Sequence, residues 1–473
     1  MKKILSITSL LLVLATTACQ DVIDVQPTHV LGNNNVFTKV EDFDVALNGA
    51  YANMRGLYLN GLFTGVIADM MSDNLHETAE SLVNYKAVTD WVYKADQLRI
   101  NQTWAVGYNL IHDVNTVLGK INEFTNSSNQ KTANRIRGQA LALRGWTHFN
   151  LLRYYANNLD RNSTDPGVAI KTQTGSDLLA RSSVKECYDQ IYKDLEEARQ
   201  ILGDVDVAVN TATKKSRVDR TAVTGMLARV ALYAKEYDKA ATFAQEVIRA
   251  VPLATRAQFP GIWTDANVSE VLFATQYNSG EGGATLDVFS PAINRAQWDP
   301  ARDLVALYNA TNDIRYTSYF TPTSNFPGVT RTGRALLVGK YIGRGTARDG
   351  NVNFKVLRVA EMYLIAAEAL AATNKGTEAL GFLNQLRAAR ITGFTPGTES
   401  GAALTAAIAT ERRKELWMEG HRWFDIKRTT RALQRSSECR ANCTLPATSV
   451  AWTWPIPQDE ILANSKMTQN SGY

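Results

Sequence analysis

The chain has 473 residues, of which 45% are hydrophobic and 21% charged, and a formal net charge of +5. These are the proportions of a globular protein long enough to bury a large core, which excludes a disordered or fibrous chain. The positive excess is spread thinly and forms no basic block, so no nucleic acid is expected as a partner.

The chain opens with "MKKILSITSLLLVLATTAC": two lysines, an apolar run, then small residues before Cys19, the layout of a secretory signal. The run is too short to remain as a membrane span. Its end resembles a bacterial lipoprotein processing site, with Thr16 where an aliphatic residue is usual. Residues 1–18 are therefore expected to be removed and Cys19 acylated. Each buried CH2 of an acyl chain contributes about 0.8 kcal/mol, so two or three chains anchor a protein at a membrane surface. Residues 19–35 are turn-rich, lack periodicity and read as a tether.

Residues 36–254 read as helices. "VEDFDVALNGAYANMRGLY", "NQTWAVGYNLIHDVNTVLGKINEF", "KTANRIRGQALALRGWTHFNLLRYYA" and "SVKECYDQIYKDLEEARQIL" carry apolar residues three and four apart. In the third, Leu141, Trp146, Phe149 and Leu152 mark a long helix packed on others, and in the fourth Cys187 falls on the apolar side as a buried small hydrophobe. Residues 221–254 place Leu227, Ala228, Tyr237, Ala240 and Pro252 near the packing positions of a tetratricopeptide repeat. Residues 356–390 repeat that logic with a turn at Lys375 and Gly376. Between them, residues 255–350 cluster Gly, Pro, Asn and Thr with aromatics and only short apolar runs such as "EVLFATQY", which predicts loops and a few short strands. The expected fold is mainly α: a tetratricopeptide-like scaffold of about four helix pairs, an irregular ligand-binding region over 255–350, and a C-terminal helical region over 351–473.

Searches for catalytic chemistry find none. "HETAE" begins like a zinc-protease motif, but Glu80 stands where the second His is required, and the five histidines have no ligand spacing, so no metal is expected. "SGEGGAT" lacks the Lys-Ser/Thr of a phosphate loop, and no G-x-S-x-G elbow is present, so neither a cofactor nor catalytic residues are expected. "CRANC" can close a disulfide between Cys439 and Cys443, and it lacks the second pair that a zinc site needs.

The densest chemistry lies in "TERRKELWMEGHRWFDIKRT", residues 410–429. A helix is predicted from Ala402 to Gly420, with Leu404, Ile408 and Leu416 as an apolar row in which Arg412 takes the remaining step. Glu411, Glu415 and Glu419 form a second row, and Arg413 lies one turn from Trp417, within reach of a cation-aromatic contact. Repulsion among the glutamates requires facing arginines, for which Arg144 and Arg153 are the candidates. Gly420 ends the helix, and a short element carrying Arg422, Trp423, Phe424 and Asp425 follows. The pattern reads as a buried ion network with an aromatic plug joining helices.

These residues resemble the C-terminal signature of the SusD/RagB family of surface nutrient-binding lipoproteins. "WPIPQDEILANSKMTQNSGY" is similar to the family's ending, "LRVAEMYLIAAEAL" and "ALALRGWTHFNLLRYYAN" to its repeat helices, and "FTKVEDFDVALNGAYANMR" to its first helix. "NDIRYTSYF" resembles its Asp-x-Arg segment, with Ile314 where Pro is common. The resemblance implies a lipid-anchored protein of the outer-membrane surface, seated as a lid on a TonB-dependent transporter barrel. It implies binding and delivery of an oligosaccharide, or in some members a peptide, without covalent chemistry. The family's ligand contacts form no motif, so ligand candidates come from chemistry: sugars stack apolar faces on aromatic rings and need paired donors and acceptors. Asp73, Asn74 and Trp91, with Tyr277, Asn278, Arg295 and Trp298 in the irregular region, are the candidates. A secreted glycan hydrolase and a pure protein adaptor are the competing readings. The first requires a carboxylate pair or a triad, and the second no small-ligand site.

Overall fold

A computed structural model describes residues 36–473, apart from 60–64, 204–209, 212–213, 279, 282, 284, 286–287, 291–294, 327–334 and 346–348. The expected signal segment, Cys19 and the tether lie outside the described residues. Long helices dominate: α1 (Val40–Leu59), α2 (Leu98–Lys120), α3 (Gln130–Tyr155), α4 (Val184–Leu202), α5 (Arg220–Tyr233), α6 (Tyr237–Ala250), α7 (Val359–Ala372), α8 (Gly376–Arg390), α9 (Gly401–Glu415) and the short α10 (Arg422–Arg428). Each of the first eight packs on the next, so α1/α2, α3/α4, α5/α6 and α7/α8 form the four tetratricopeptide-like pairs expected from the sequence. The strands used below are β1 (Leu75–Glu77), β2 (Val271–Thr275), β3 (Trp298–Pro300), β4 (Phe354–Arg358), β5 (Leu433–Gln434) and β6 (Thr444–Leu445).

Local chemistry sets the helix ends. Ser183 accepts from the Glu186 amide while Glu186 returns to the Ser183 amide, a capping box that starts α4. Asp219 caps α5 by accepting from the Ala222 amide. From Gly138 to Tyr155 every residue of α3 is buried, so this helix is the centre of the scaffold. Gly145 lets α4 approach closely: a Cβ there would lie 3.1 Å from side-chain atoms of Asp194 and Leu195. The expected turn between α7 and α8 is made by Asn374 in a left-handed conformation (φ 62°), and Gly376 already belongs to α8. Residues 356–358, read from the sequence as the head of α7, belong to β4 instead. They pair antiparallel with β2, and both strands are buried throughout, which stitches the irregular region to the C-terminal helices.

Helix α9 stops at Glu415 rather than at Gly420. The carbonyls that would continue it are occupied: that of Lys414 accepts from the Tyr308 hydroxyl at 2.8 Å, and that of Glu415 from the Tyr319 hydroxyl at 2.9 Å and Arg358 at 3.1 Å. Left-handed Met418 and Gly420 (φ 61° and 81°) then reverse the chain into α10. Trp417 therefore falls beyond the helix, and Arg413 does not meet it. Arg413 reaches Asn74 and Asp303 at 2.8 Å each.

The glutamate row is buried in an ion network, as expected, but its partners differ from those expected. Arg144 is committed to Asp194 on α4 at 2.6 and 2.8 Å. The Arg153 guanidinium lies 4.1 Å over the Phe424 ring. Both project from α3 toward other neighbours. Glu415 instead accepts from Arg315 at 3.1 Å, Arg358 at 3.0 Å and Arg390 at 3.0 Å, and the side chains of all four are 0% exposed. Arg315 also binds Asp313 at 2.8 Å and Glu411 at 2.5 Å. Arg358 also binds Glu419 at 2.6 Å, Arg390 binds Glu270 at 2.9 Å, and Lys340 binds Glu419 at 2.7 Å. Arg412 pairs with Asp425 at 3.0 Å, joining α9 to α10. Trp423 and Phe424 are buried beside it.

Burial alone would raise the Glu411 carboxyl, but the charges of Arg315, Lys414 and Arg387 outweigh it and hold the pKa at about 2. Asp425 is held at about 2 against the same burial effect by Arg412 and Arg428. Both values lie below the unfolded carboxylate range near 4. The stability they supply is complete above that range and is lost as pH falls toward 2. Acid titration followed by circular dichroism is therefore expected to show unfolding between about pH 4 and pH 2, not above it. Replacing one member of a buried network leaves its partners uncompensated, at a cost of roughly 3–5 kcal/mol. Glu415→Gln is expected to lose that much in urea denaturation, while Arg302→Gln, whose side chain is 71% exposed, is expected to lose under about 1 kcal/mol.

Candidate functional site

Two of the seven ligand candidates, Asp73 and Trp298, line one cleft. After a short buried helix, Val66–Met70, Ser72 donates to the Asp69 carbonyl at 2.8 Å and Asn74 to the Asp69 carboxylate at 2.7 Å, turning the chain into β1. β1 pairs antiparallel with β3, which sets Glu77 opposite Trp298. The third wall is the β5/β6 hairpin, where Cys439 and Cys443 are joined by a disulfide. The cleft has a volume of about 60 Å³, and its lining includes Asp73, Glu77, Lys86, Asp90, Trp298 and Arg435. His76, Ser436 and Arg440 also face it.

The structure corrects the roles given to the candidates. Trp91, Tyr277 and Trp298 are 9%, 0% and 4% exposed, so none is the open stacking platform expected of a loop aromatic. Trp91, at φ 59°, donates through its indole to the Met71 carbonyl at 3.0 Å, and the Arg435 guanidinium covers its ring at 4.1 Å. Asp73 is gripped by Arg422 through two bonds of 2.7 Å, and Asn74 accepts from Arg413 at 2.8 Å. These two polar residues therefore fasten the cleft to α9 and α10. Arg295 is half-buried on the strand just before β3, and its backbone pairs with Ser290. Tyr277 and Asn278 lie elsewhere: Tyr277 is locked by Asn353 and Arg344, and Asn278 borders a separate groove of about 320 Å³ with Asn48, Arg55 and Arg217.

Further charged groups of the cleft sit on residues the sequence reading passed over. Lys86 bridges two acids, 2.6 Å from Asp90 and 3.9 Å from Glu77, and the bond to Asp90 raises its pKa. Arg435 donates to the carbonyls of Met70, Met71, Ser72 and Thr89 at 2.6–3.3 Å, and burial lowers its pKa to about 10. Arg440, inside the disulfide loop, is exposed. Alternating acceptors and cationic donors beside Trp298 suit hydroxyl-rich ligands. Among the described residues, no His, Cys, Asp or Glu cluster could hold a metal, and no helix is long and apolar enough to cross a membrane. The signal for Arg435 and Arg440 was present in "QRSSECRANC", where only the sulfurs had been weighed.

Arg435→Met removes a half-buried cation that holds two cleft walls together, at a cost of roughly 1.5–3 kcal/mol. Trypsin cleavage after Lys86 and Arg440 is expected to accelerate about tenfold or more, because both walls open more often. Unchanged cleavage rates would mean that Arg435 does not hold the cleft.

Comparison with known proteins places the whole chain. Residues 23–232 match a family model described as starch-binding associating with outer membrane, and residues 331–473 match that of the SusD family. SusD-like protein P2 of Formosa agariphila is 26% identical, with 99% of each chain covered. SusD-like protein P38 of the same organism is 23% identical over 100% of this chain and 99% of its own. A SusD superfamily protein from Bacteroides thetaiotaomicron superposes with a TM-score of 0.80 at 25% identity, covering 92% of this chain and 100% of its own. A putative sugar binding protein from Bacteroides vulgatus shares the fold at a TM-score of 0.76 and 24% identity, with 93% of this chain and 99% of its own covered.

Proposed function

The chain belongs to the SusD/RagB family, and on that premise we propose that it is a cell-surface lipoprotein that binds oligosaccharides in the cleft between β1, β3 and the disulfide hairpin. Held at the outer membrane through Cys19, it passes them as a lid to a TonB-dependent barrel. The observation that carries this reading is the cleft wall, where Glu77, Asp90, Lys86 and Arg440 set acceptors and donors around Trp298. Sugar hydroxyls both donate and accept, and a carboxylate next to a cationic donor satisfies both roles within one residue's reach. The relatives support the ligand class, since the family model is described as starch-binding and a solved neighbour as a putative sugar binding protein. Binding in so small a cleft is expected between millimolar and micromolar Kd, roughly 4 to 8 kcal/mol, and avidity along a polymer raises it.

The test uses the chain from Gln20 onward in affinity electrophoresis against plant, host and microbial polysaccharides, with an oligopeptide pool examined by calorimetry and every mixture checked for cleavage products. Retention by a glycan without products is expected, with Glu77→Gln or Arg440→Ala weakening it about tenfold. Cleavage products would overturn the binding role in favour of hydrolysis. Heat from peptides with no glycan retained would move the ligand to the peptide class.

A further inference from the structure

We propose that the groove beside Asn278 binds an acidic sugar through its carboxylate or sulfate group. This site goes beyond the glycan cleft, with which it shares no lining residue. One wall is α1, where Asn48, Tyr51, Ala52 and Arg55 fall at spacings of three and four and so share a face. The other wall is the stretch 214–217, which runs beside β2 because the Ala274 amide donates to the Lys215 carbonyl at 2.8 Å. The groove between them has a volume of about 320 Å³.

Its charge is one-sided. Arg55, Lys214 and Arg217 line it, and among the described residues no carboxylate does, whereas the glycan cleft sets Asp73, Glu77 and Asp90 against its cations. Arg55 is neutralised by Glu281 through contacts of 2.8 and 2.9 Å. Lys214 and Arg217 form no ion pair among the described residues. Two positive charges therefore line one concave surface, which focuses their field on whatever enters.

Arg217 is held in place without being neutralised. Its guanidinium lies 4.3 Å over the Tyr51 ring, its amide donates to the Asn210 side chain at 3.1 Å, and its carbonyl accepts from that side chain at 2.8 Å. Tyr51 is fixed in turn, its hydroxyl accepting from the Val218 amide at 3.0 Å. A half-buried guanidinium positioned in this way, with no carboxylate of its own, leaves charge-assisted bonds for an incoming oxyanion to make.

The remaining groups select a sugar. Asn48, Ser216 and Gln276 bring two amides and a hydroxyl that no group of the described residues occupies. These suit sugar hydroxyls, which both donate and accept. An inorganic anion would use the two cations and leave those groups to water. A uronic acid and a sulfate ester share the required chemistry.

The experiment measures calorimetric binding of glucuronate, glucose sulfate, glucose and inorganic sulfate, at low ionic strength, to the chain from Gln20 onward. Variants are Lys214→Gln, whose side chain is exposed, the double variant Lys214→Gln/Arg217→Gln, and Lys375→Gln, which removes the same charge from the turn before α8. At least one acidic sugar is expected to bind about tenfold more tightly than glucose and inorganic sulfate. Its affinity is expected to fall about fivefold in Lys214→Gln, to fall further in the double variant, and to be unchanged in Lys375→Gln. Which acidic sugar binds separates a uronic acid from a sulfate ester. No saturable binding by either, an unchanged affinity in Lys214→Gln, or an equal loss in Lys375→Gln would overturn the proposal. Inorganic sulfate binding as tightly as the acidic sugars would also overturn it. Because the groove and the cleft share no residue, failure here leaves the glycan result standing, and failure there leaves this one.

Discussion

The carboxylate of Glu415 is the constraint on which the rest of the structure depends. It lies at the end of α9 with no exposed side-chain surface and satisfies three guanidiniums at once: Arg315 from the irregular region, Arg358 from β4 and Arg390 from α8. A buried carboxylate needs counter-charge, and a buried guanidinium needs several acceptors, so each makes the other's position obligatory. Replacing such a network by apolar groups can be neutral in stability. What it imposes is geometry: segments 25 to 100 residues from Glu415 in sequence must meet at one point.

The two faces of α9 divide the labour. Glu411 and Glu415 point into the network, while Arg413 reaches outward to Asn74 and Asp303. Arg422 of α10 continues that outward contact onto Asp73. The cleft therefore rests on the same segment that closes the core. Loops carried on a rigid scaffold are where binding residues usually lie, and here the attachment between the two is a specific pair of ion contacts.

The helical pairs were legible because a period of 3.6 is written into each segment. The glutamate row was legible as buried and ionic, since three carboxylates one turn apart cannot persist without cations. Which cations they meet was not, because Arg315, Arg358 and Arg390 arrive by tertiary contact that spacing does not encode. The end of α9 was misplaced for the same reason: Tyr308, Tyr319 and Arg358 take its last carbonyls from outside. The chosen aromatics show the limit of residue type as a guide. Trp and Tyr in irregular sequence can serve a ligand or a core, and burial assigned Trp91 and Tyr277 to the core. Asp73 lines the cleft and Asn74 follows it in the chain, and both attach that wall to α9 and α10, whereas Arg435 and Arg440 were hidden within a motif read for its cysteines.

The central claim is that residues 411–428 are a lock and residues 76–90 with 435–441 are the binding rim. Hydrogen exchange with and without a retained glycan tests it most directly. The account predicts that amides of 411–428, 313–315 and 356–358 exchange slowly and together, through global opening, and are unaffected by ligand. Protection on binding should be confined to the rim. Fast exchange within 411–428, or ligand protection centred there, would contradict the account.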